Sequence, residues 1–254
     1  MPVLVPYHQD EYLPGLVDDL PAGAVPTEVR VELTGPAGWS RQAPIYAAAA
    51  DAVAKRAGAG GLTTVISGCC CVSLGVLAGL QRAGVDASVV WFDAHGDVQT
   101  METTTSGYLG GMPVRVITGY RPELVADAIG LRALPEERIT LVDGRDLDPP
   151  EAEYLASAAI RRSTVEGLSA ASLPPGPLLL HIDLDVVDPA DLTGLRFPVA
   201  KGPSASSVVD AVGRLLATGR VAAFDLAATW DPSTPDPAGS RRRLVEALLA
   251  ATGA

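Results

Sequence analysis

Short, continuous apolar runs alternate with longer Ala- and Leu-rich segments along most of this chain of 254 residues. The runs lack the alternation of polar and apolar residues that is typical of a strand with one face in water. They therefore predict strands that are covered on both faces of a sheet. We predict these strands at residues 3–6, 63–66, 88–92, 139–142, 177–184 and 220–227.

The segments between these strands have the composition of helices, and several begin near Pro or Ser, as helices often do. We predict helices at residues 43–57, 73–84, 122–133, 204–219 and 240–252. The repeated order of strand and helix predicts an α/β fold, with a parallel sheet and helices on both faces. Because we find no internal repeat and no long linker, we expect a single domain over residues 1–254.

Charge and hydropathy exclude several classes of partner. The net charge of −11 argues against binding to nucleic acid or to an anionic membrane surface. The first residues lack the basic segment of a signal peptide, and no window is apolar for long enough to span a membrane. We therefore expect a cytoplasmic protein without a nucleic-acid or membrane partner.

Three consecutive cysteines, Cys69 to Cys71, are the only cysteines in the chain. A disulfide is the weakest interpretation, because adjacent cysteines are poorly placed to bridge and cytosolic thiols stay reduced. A cysteine nucleophile would need a partner among His8, His95 and His181. A metal ligand and a small buried side chain remain as the other interpretations.

Acidic residues follow two of the predicted strands. Asp93, His95 and Asp97 alternate after one strand, and Asp183 and Asp185 alternate after another. Alternate residues of an extended chain point to one side, and ligands of parallel sheets bind at the carboxyl ends of strands. Carboxylates packed together repel unless a cation neutralises them. Helix caps and turns are the alternative role, but two such motifs after apolar strands favour a divalent-metal site.

Four stretches in family order resemble the ureohydrolases, the family of arginase, agmatinase and formimidoylglutamase. They are "DAHGD" (93–97), "TTSGYLGGMPV" (104–114), "LVDGRDLDPPE" (141–151) and "DLDVVDP" (183–189). The resemblance implies a three-layer α/β sandwich whose parallel sheet has about eight strands. It also implies a two-manganese centre, at which a hydroxide attacks the carbon of a guanidinium or amidine group. Relatives are commonly oligomers, so we expect a homo-oligomer.

The resemblance assigns roles to individual residues. Asp93 and Asp183 would bridge two metal ions, and Asp97 would bind the first ion and hold the catalytic hydroxide. His95 and Asp185 would bind the second ion. The substrate-binding residues implied by the family are Gln99, Thr104 and Ser106 for a substrate carboxylate and Asp148 for a substrate amino group.

The cysteines depart from the family pattern. The alignment places Cys70 at the remaining metal-ligand His of the family. We interpret Cys69 and Cys71 as packing residues, because their alternate positions would face away from Cys70. A thiolate is softer than an imidazole and shifts preference from Mn²⁺ towards Zn²⁺ or Fe²⁺. Our hypothesis is that the first metal position is weakened, altered in preference or empty. The Cys and "GYLGGM" (107–112) also resemble the branch that hydrolyses N-hydroxyarginine to release hydroxyurea.

Two further departures bear on activity. Gly110 stands where arginases carry a loop His proposed to shuttle protons, and Ala228 stands at the Glu that pairs with the substrate guanidinium. Trp230 lies near Ala228 in sequence, and Glu102 is a candidate substitute carboxylate. We interpret His181 as a core histidine or a support for the metal ligands.

The sequence therefore predicts a hydrolase that cleaves a C–N bond of a guanidine-, hydroxyguanidine- or amidine-like small molecule. The expected cofactor is a divalent metal, Mn²⁺ first, as one or two ions, with Fe²⁺ or Zn²⁺ as the alternatives that Cys70 introduces. Two alternatives stay open: a catalytically impaired member that binds metal or a small ligand, and a hydrolase that uses only the ion on the His95 side.

Overall fold

Eight strands form one parallel sheet in the computed structural model, which describes residues 1–236 and 238–253. The described residues form ten strands: Val3–Val5 (β1), Tyr7–His8 (β2), Glu11–Tyr12 (β3), Thr27–Glu28 (β4), Thr63–Ser67 (β5), Ser88–Asp93 (β6), Ile139–Asp143 (β7), Arg161–Ser163 (β8), Leu178–Asp183 (β9) and Val221–Ala227 (β10). The sheet has the order β4-β1-β5-β10-β9-β6-β7-β8, and β2 and β3 form a separate antiparallel hairpin.

Helices cover both faces of this sheet. They are Trp39–Ala57 (α1), Val72–Arg82 (α2), Pro113–Ile117 (α3), Ala126–Ile129 (α4), Pro149–Ser157 (α5), Ala205–Leu216 (α6) and Ser240–Ala251 (α7). The helices α1 to α5 pack on one face, and α6 and α7 pack on the other. Successive residues of β9 divide between the two cores, since Leu179 joins the first and Leu180 the second. The predicted three-layer α/β fold is confirmed.

One predicted helix, residues 122–133, is wrong. The structure has a 3₁₀ turn at Pro122–Leu124 and only the short helix α4 after it. Gly130 ends α4 with a φ of +65°, in the left-handed region that suits glycine. None of the helices among the described residues combines the length and the hydropathy that a bilayer-spanning helix requires.

The two helices next to the cysteines approach each other closely. A Cβ atom added at Gly75 of α2 would overlap the backbone of Tyr46 in α1. Glycine is therefore required at this contact, because any side chain would push the helices apart. The contact holds the first turn of α2 in place, directly after Cys69 to Cys71, and so fixes where this segment meets the ends of the strands.

Candidate metal centre

The carboxyl ends of β5, β9 and β6 surround a pocket of about 350 Å³. Asp93 is the last residue of β6 and Asp183 is the last residue of β9, which places their carboxylates at the same edge of the sheet. Every residue predicted for the site lines this pocket: Cys70, Asp93, His95, Asp97, Gln99, Thr104, Ser106, Asp148, Asp183 and Asp185. Their individual roles stay predictions.

His95 lies between two carboxylates on one side of the pocket. Its Nδ1 is 3.2 Å from Asp93 Oδ1 and 3.1 Å from Asp185 Oδ2, and its backbone N–H donates to Asp93 Oδ1 at 2.7 Å. Ligand atoms of the three residues lie within 4.8 Å of one another. One imidazole and two carboxylates at this separation are a donor set suited to a divalent metal ion.

Cys70 lies at the other oxygen of Asp93 and beside Asp183, so it shares only Asp93 with His95. Its Sγ donates to Asp183 Oδ2 at 2.5 Å and is 4.0 Å from Asp93 Oδ2. The other oxygen of Asp183 accepts from the backbone N–H of Asp185 at 2.9 Å and from Thr229 Oγ1 at 3.0 Å. The structure therefore brings the thiol of Cys70 against two carboxylates of the pocket, and its correspondence to the family's metal-ligand His stays a prediction.

Burial and mutual repulsion perturb the acids of the pocket. Burial, together with the Asp93 carboxylate, raises the pKa of Asp183 to about 6 and that of Asp97 well above its usual range. Burial and Asp183 likewise raise the pKa of Asp185. Although burial acts in the opposite direction, hydrogen bonds from His95 hold the pKa of Asp93 below its usual value.

The basic group and the thiol of the pocket are perturbed too. Burial favours neutral His95, but hydrogen bonds to Asp185 and Asp93 outweigh it and raise the pKa of His95 to about 12. Burial and Asp183 raise the pKa of the Cys70 thiol. A thiolate at Cys70 therefore requires a cation beside it.

A cation fits the residues present. The side-chain oxygen Oδ2 of Asp97 is buried and has no hydrogen-bond partner among the described residues. Such atoms are rare in folded proteins and indicate a missing ion or water. Asp97 also has a φ of +53°, a left-handed conformation that is uncommon outside glycine and that collects at functional sites.

The outer cysteines take part in packing. Cys69 and Cys71 are buried within the core beneath α1 and α2, and all three cysteines are free thiols. Cys71 Sγ donates to the backbone carbonyl of Leu109 at 3.3 Å. Neither residue lines the pocket, in agreement with the packing role expected for them.

The predicted substrate-binding residues form the rim of the pocket. Gln99 Nε2 donates to Asp148 Oδ2 at 2.8 Å, and Thr103 Oγ1 donates to Gln99 Oε1 at 2.7 Å. Thr104 and Ser106 lie beside each other, with hydroxyl oxygens 3.4 Å apart. Glu151 was missed by the sequence analysis, and its Oε1 accepts from the backbone N–H of Val98 at 3.2 Å.

An aromatic wall, Tyr108 and Phe197, also lines the pocket and was not predicted. The two ring centroids are 4.9 Å apart. The Tyr108 ring occupies the space beside Gly110, where an added Cβ would overlap it. Tyr108 OH is 3.3 Å from Nε2 of His8, whose Nδ1 donates to the carbonyl of Gly68 at 2.8 Å. Tyr108 thus fills the volume that a side chain at position 110 would need.

The residue that lines the pocket after β10 is not Ala228, the one that the sequence places at the substrate-pairing position. Ala228 is fully buried in the second core, and its neighbour Thr229 is the residue that lines the pocket. Trp230 donates to Asp19 at 2.6 Å and does not line the pocket. Glu102 is exposed and bonds Tyr120 and Arg121, so it does not supply a substitute carboxylate.

Comparison with known proteins agrees with this geometry. A model described as Arginase family matches residues 17–241. The chain belongs to the arginase family. It is 36% identical over 136 residues to N(omega)-hydroxy-L-arginine amidinohydrolase from Streptomyces lavendulae, covering 52% of this chain and 48% of that protein. It is 31% identical over 154 residues to arginase from Bacillus subtilis, covering 55% of this chain and 52% of the relative.

Solved structures show the same fold. Arginase from Bacillus caldovelox superposes with a TM-score of 0.78 at 24% identity, covering 88% of this chain and 80% of the other. An arginase structure from Bacillus subtilis gives 0.78 at 22% identity, covering 97% and 96%. The alignable part of the chain spans about half the length of the curated relatives it matches in sequence. Family membership supports the predicted hydrolase at the level of reaction class.

Proposed function

We propose that this protein is a metal-dependent hydrolase that cleaves a C–N bond in a small molecule bearing a guanidine, hydroxyguanidine or amidine group. The observation that carries the proposal is the convergence of four buried carboxylates, one imidazole and one thiol on a single pocket. Mutual repulsion makes this cluster unfavourable without cations. The resemblance to an amidinohydrolase supports the reaction class.

Two groups of side chains would hold the metal ions. Asp93, His95 and Asp185 form one group, while Cys70, Asp97 and Asp183 surround the other side of the pocket. When bound, divalent ions lower the pKa of a water molecule and polarise the reacting group. Carboxylates and imidazole suit Mn²⁺, whereas the sulfur of Cys70 favours Zn²⁺ or Fe²⁺.

Asp97 holds a proton at the reacting water. Its Oδ2 is buried and has no hydrogen-bond partner among the described residues, so it is free to accept a hydrogen bond from that water. A carboxylate oxygen that is unpartnered and beside the reacting water can accept its proton and return it to a leaving nitrogen. This residue therefore both orients the nucleophile and moves its proton.

The remaining pocket residues select a planar, cationic group. The lining contains acids, amides, hydroxyls and aromatic rings, and no Lys or Arg among the residues that the structure describes. The faces of Tyr108 and Phe197 favour a delocalised cation, and Thr229, the residue after Ala228, presents a neutral hydroxyl to the pocket. A neutral hydroxyl suits a less basic hydroxyguanidine better than a fully charged guanidinium or amidinium, either of which would lose a charge-assisted pair.

A turnover screen tests the proposal. The protein is supplied with Mn²⁺, Fe²⁺ or Zn²⁺ and incubated with guanidines, hydroxyguanidines and amidines, and released urea, hydroxyurea or ammonia is measured. We expect metal-dependent release that falls by about 10²–10⁴-fold in Asp97→Asn. Asn tolerates the left-handed conformation, so this variant keeps the backbone of the site.

A second candidate function is favoured by the end of β10. Because Ala228 stands where the resemblance places the substrate-pairing Glu, and the adjacent pocket residue Thr229 carries no charge, the site can bind metal or a small ligand without turning it over. Tight ligand binding with no product from any substrate in the screen would support this function and contradict the hydrolase.

A further inference from the structure

His181 of β9 is fully buried and has one ring nitrogen without a partner. Its Nδ1 is 2.9 Å from Asp225 Oδ2 and 2.8 Å from Ser73 Oγ. Its Nε2 has no hydrogen-bond partner among the described residues. Buried polar atoms are nearly always paired, so this nitrogen indicates a ligand that the polypeptide does not provide.

The contacts of Nδ1 determine which nitrogen carries the proton. Ser73 Oγ donates its own hydrogen to Asp225, and the Asp225 carboxylate only accepts. The ring nitrogen Nδ1 must therefore donate, which leaves a lone pair on Nε2. A carboxylate that receives Nδ1–H while Nε2 stays free is the arrangement that orients metal-binding histidines in proteins.

The position of the ring places His181 beside the candidate metal centre. Ligand atoms of Cys70, Asp93 and His181 lie within 4.8 Å of one another. The indole of Trp91 covers the ring, with centroids 3.8 Å apart, and itself donates to Asp93 Oδ2 at 3.2 Å. All three residues of this cluster are buried, and its donor atoms are one sulfur, one oxygen and one nitrogen.

We infer that His181 is a metal ligand. Its imidazole, which comes from β9, takes the place of the imidazole that the family is expected to have at the position of Cys70. One ion is then held by Cys70, Asp93 and His181, a mixed donor set that favours Zn²⁺, Fe²⁺ or Co²⁺ over Mn²⁺. This changes the role expected for His181 from support to direct coordination. The inference rests on the proposed metal-dependent function, but metal binding is measured without turnover, so the two can fail separately.

Cobalt titration of metal-free protein tests the inference, because Co²⁺ bound to a thiolate gives a visible and near-ultraviolet absorption signature. His181→Asn keeps an amide near the position of Nδ1 and removes the atom at Nε2. We expect the ion with the thiolate signature to bind at least about 10–100-fold more weakly in this variant. His181→Gln, with an amide near the position of Nε2, should recover part of the affinity.

His8→Asn is the matched control, because His8 is also buried but both its ring nitrogens have partners outside the cluster. It should keep the cobalt affinity and the absorption signature of the unmodified protein. Equal affinity and an identical signature in His181→Asn would overturn the inference. The thermal midpoints of the metal-free variants report whether each one folds.

A second measurement needs no variant. Crystals of the unmodified protein loaded with Zn²⁺ are examined for an anomalous peak beside the Cys70 sulfur. The inference expects Nε2 of His181 at about 2.0–2.1 Å from that peak. An ordered water on Nε2, or a peak coordinated without His181, would refute it even if His181→Asn fails to fold.

Discussion

At the scale of single residues, the thiol of Cys70 has the most influence on which metal binds. It lies 2.5 Å from Asp183 and faces the carboxylates that any ion must share. Cys70→His should raise the affinity for Mn²⁺ relative to Zn²⁺ by at least about tenfold, or 1.4 kcal/mol. Competition between the two metals, followed by elemental analysis, measures this ratio.

The neighbouring buried thiol provides the control for that substitution. Cys69→Ala changes a residue that packs in the core and does not line the pocket, so the metal preference should stay as it is. An unchanged Mn²⁺ to Zn²⁺ ratio in Cys70→His would show that the sulfur does not touch the metal.

The ring of Tyr108 determines which side chain fits at position 110. The ring of Tyr108 occupies the space that a Cβ at position 110 would need, so Gly110→Ala should destabilise the protein by about 1–3 kcal/mol through overpacking. The same change in a Tyr108→Ala background should cost much less, because the space is then open. Denaturant unfolding of the four proteins in this cycle gives the coupling, and additive costs would contradict the packing argument.

The acidic residues could be predicted from the sequence because they are local. Asp93, Asp97, Asp183 and Asp185 occupy fixed spacings after strands, and the strands bring them to one edge of the sheet. Thr229 and Phe197 carry no such signal, because only tertiary packing brings them to the pocket. Cys70 and Tyr108 lie in segments that the sequence comparison with the family already picks out. The volume that the Tyr108 ring fills could not be predicted, because it depends on the conformation of the folded loop.

At the scale of secondary-structure elements, the N-terminus of α5 contributes a predicted substrate-binding residue to the rim of the pocket. Asp148 is the N-cap residue of α5, its backbone N–H donates to Glu151 at 3.1 Å, and its carboxylate accepts from Gln99. Asp148→Asn keeps a good N-cap, so the free energy of unfolding should change by less than about 0.5 kcal/mol.

The same substitution should still affect binding. Removing the charge of Asp148 should raise the KM for substrates that carry an amino group and leave the KM of matched substrates without one unchanged. Steady-state kinetics on such a pair of substrates tests this role. An equal change in both KM values would mean that Asp148 acts through the loop alone.

Elements with a strong hydrophobic pattern were predicted, and those without one were not. The six predicted strands are in the sheet, since each is a run of buried apolar residues. The edge strands β4 and β8 are polar and exposed, so their sequences resemble loops. Residues 122–133 contain helix-forming residues, but Gly130 and the preceding 3₁₀ turn limit the helix to one turn.

At the scale of the whole molecule, the acidic cluster makes the metal-free protein sensitive to pH. The fold raises the pKa of Asp183 to about 6 from its ordinary 3.8, and the pKa of His95 to about 12 from its ordinary 6.5. Between the ordinary and the raised pKa of each group, the folded state binds more protons than the unfolded chain. Stability therefore decreases as pH rises through these two ranges. The lowered pKa of Asp93 acts in the opposite direction, at lower pH.

Thermal unfolding measures this dependence. The thermal midpoint of metal-free protein should decrease as the pH is raised from about 5 to about 8. Metal at about 100 times its Kd should add about 2.7 kcal/mol, and its effect should be larger at the higher pH, where protons compete less. A metal-free midpoint that rises with pH, or a metal effect that is larger at pH 5, would contradict this account of the cluster.

Turnover as a function of metal occupancy tests the central claim most directly. Chelator-stripped protein is titrated with Mn²⁺, Fe²⁺ or Zn²⁺, and both bound metal and product from the best guanidine, hydroxyguanidine or amidine substrate are measured at each step. The account predicts no product from stripped protein and a rate that rises with occupancy and saturates when the site is full. Product formation by stripped protein at the full rate, or full occupancy without any product, would contradict it.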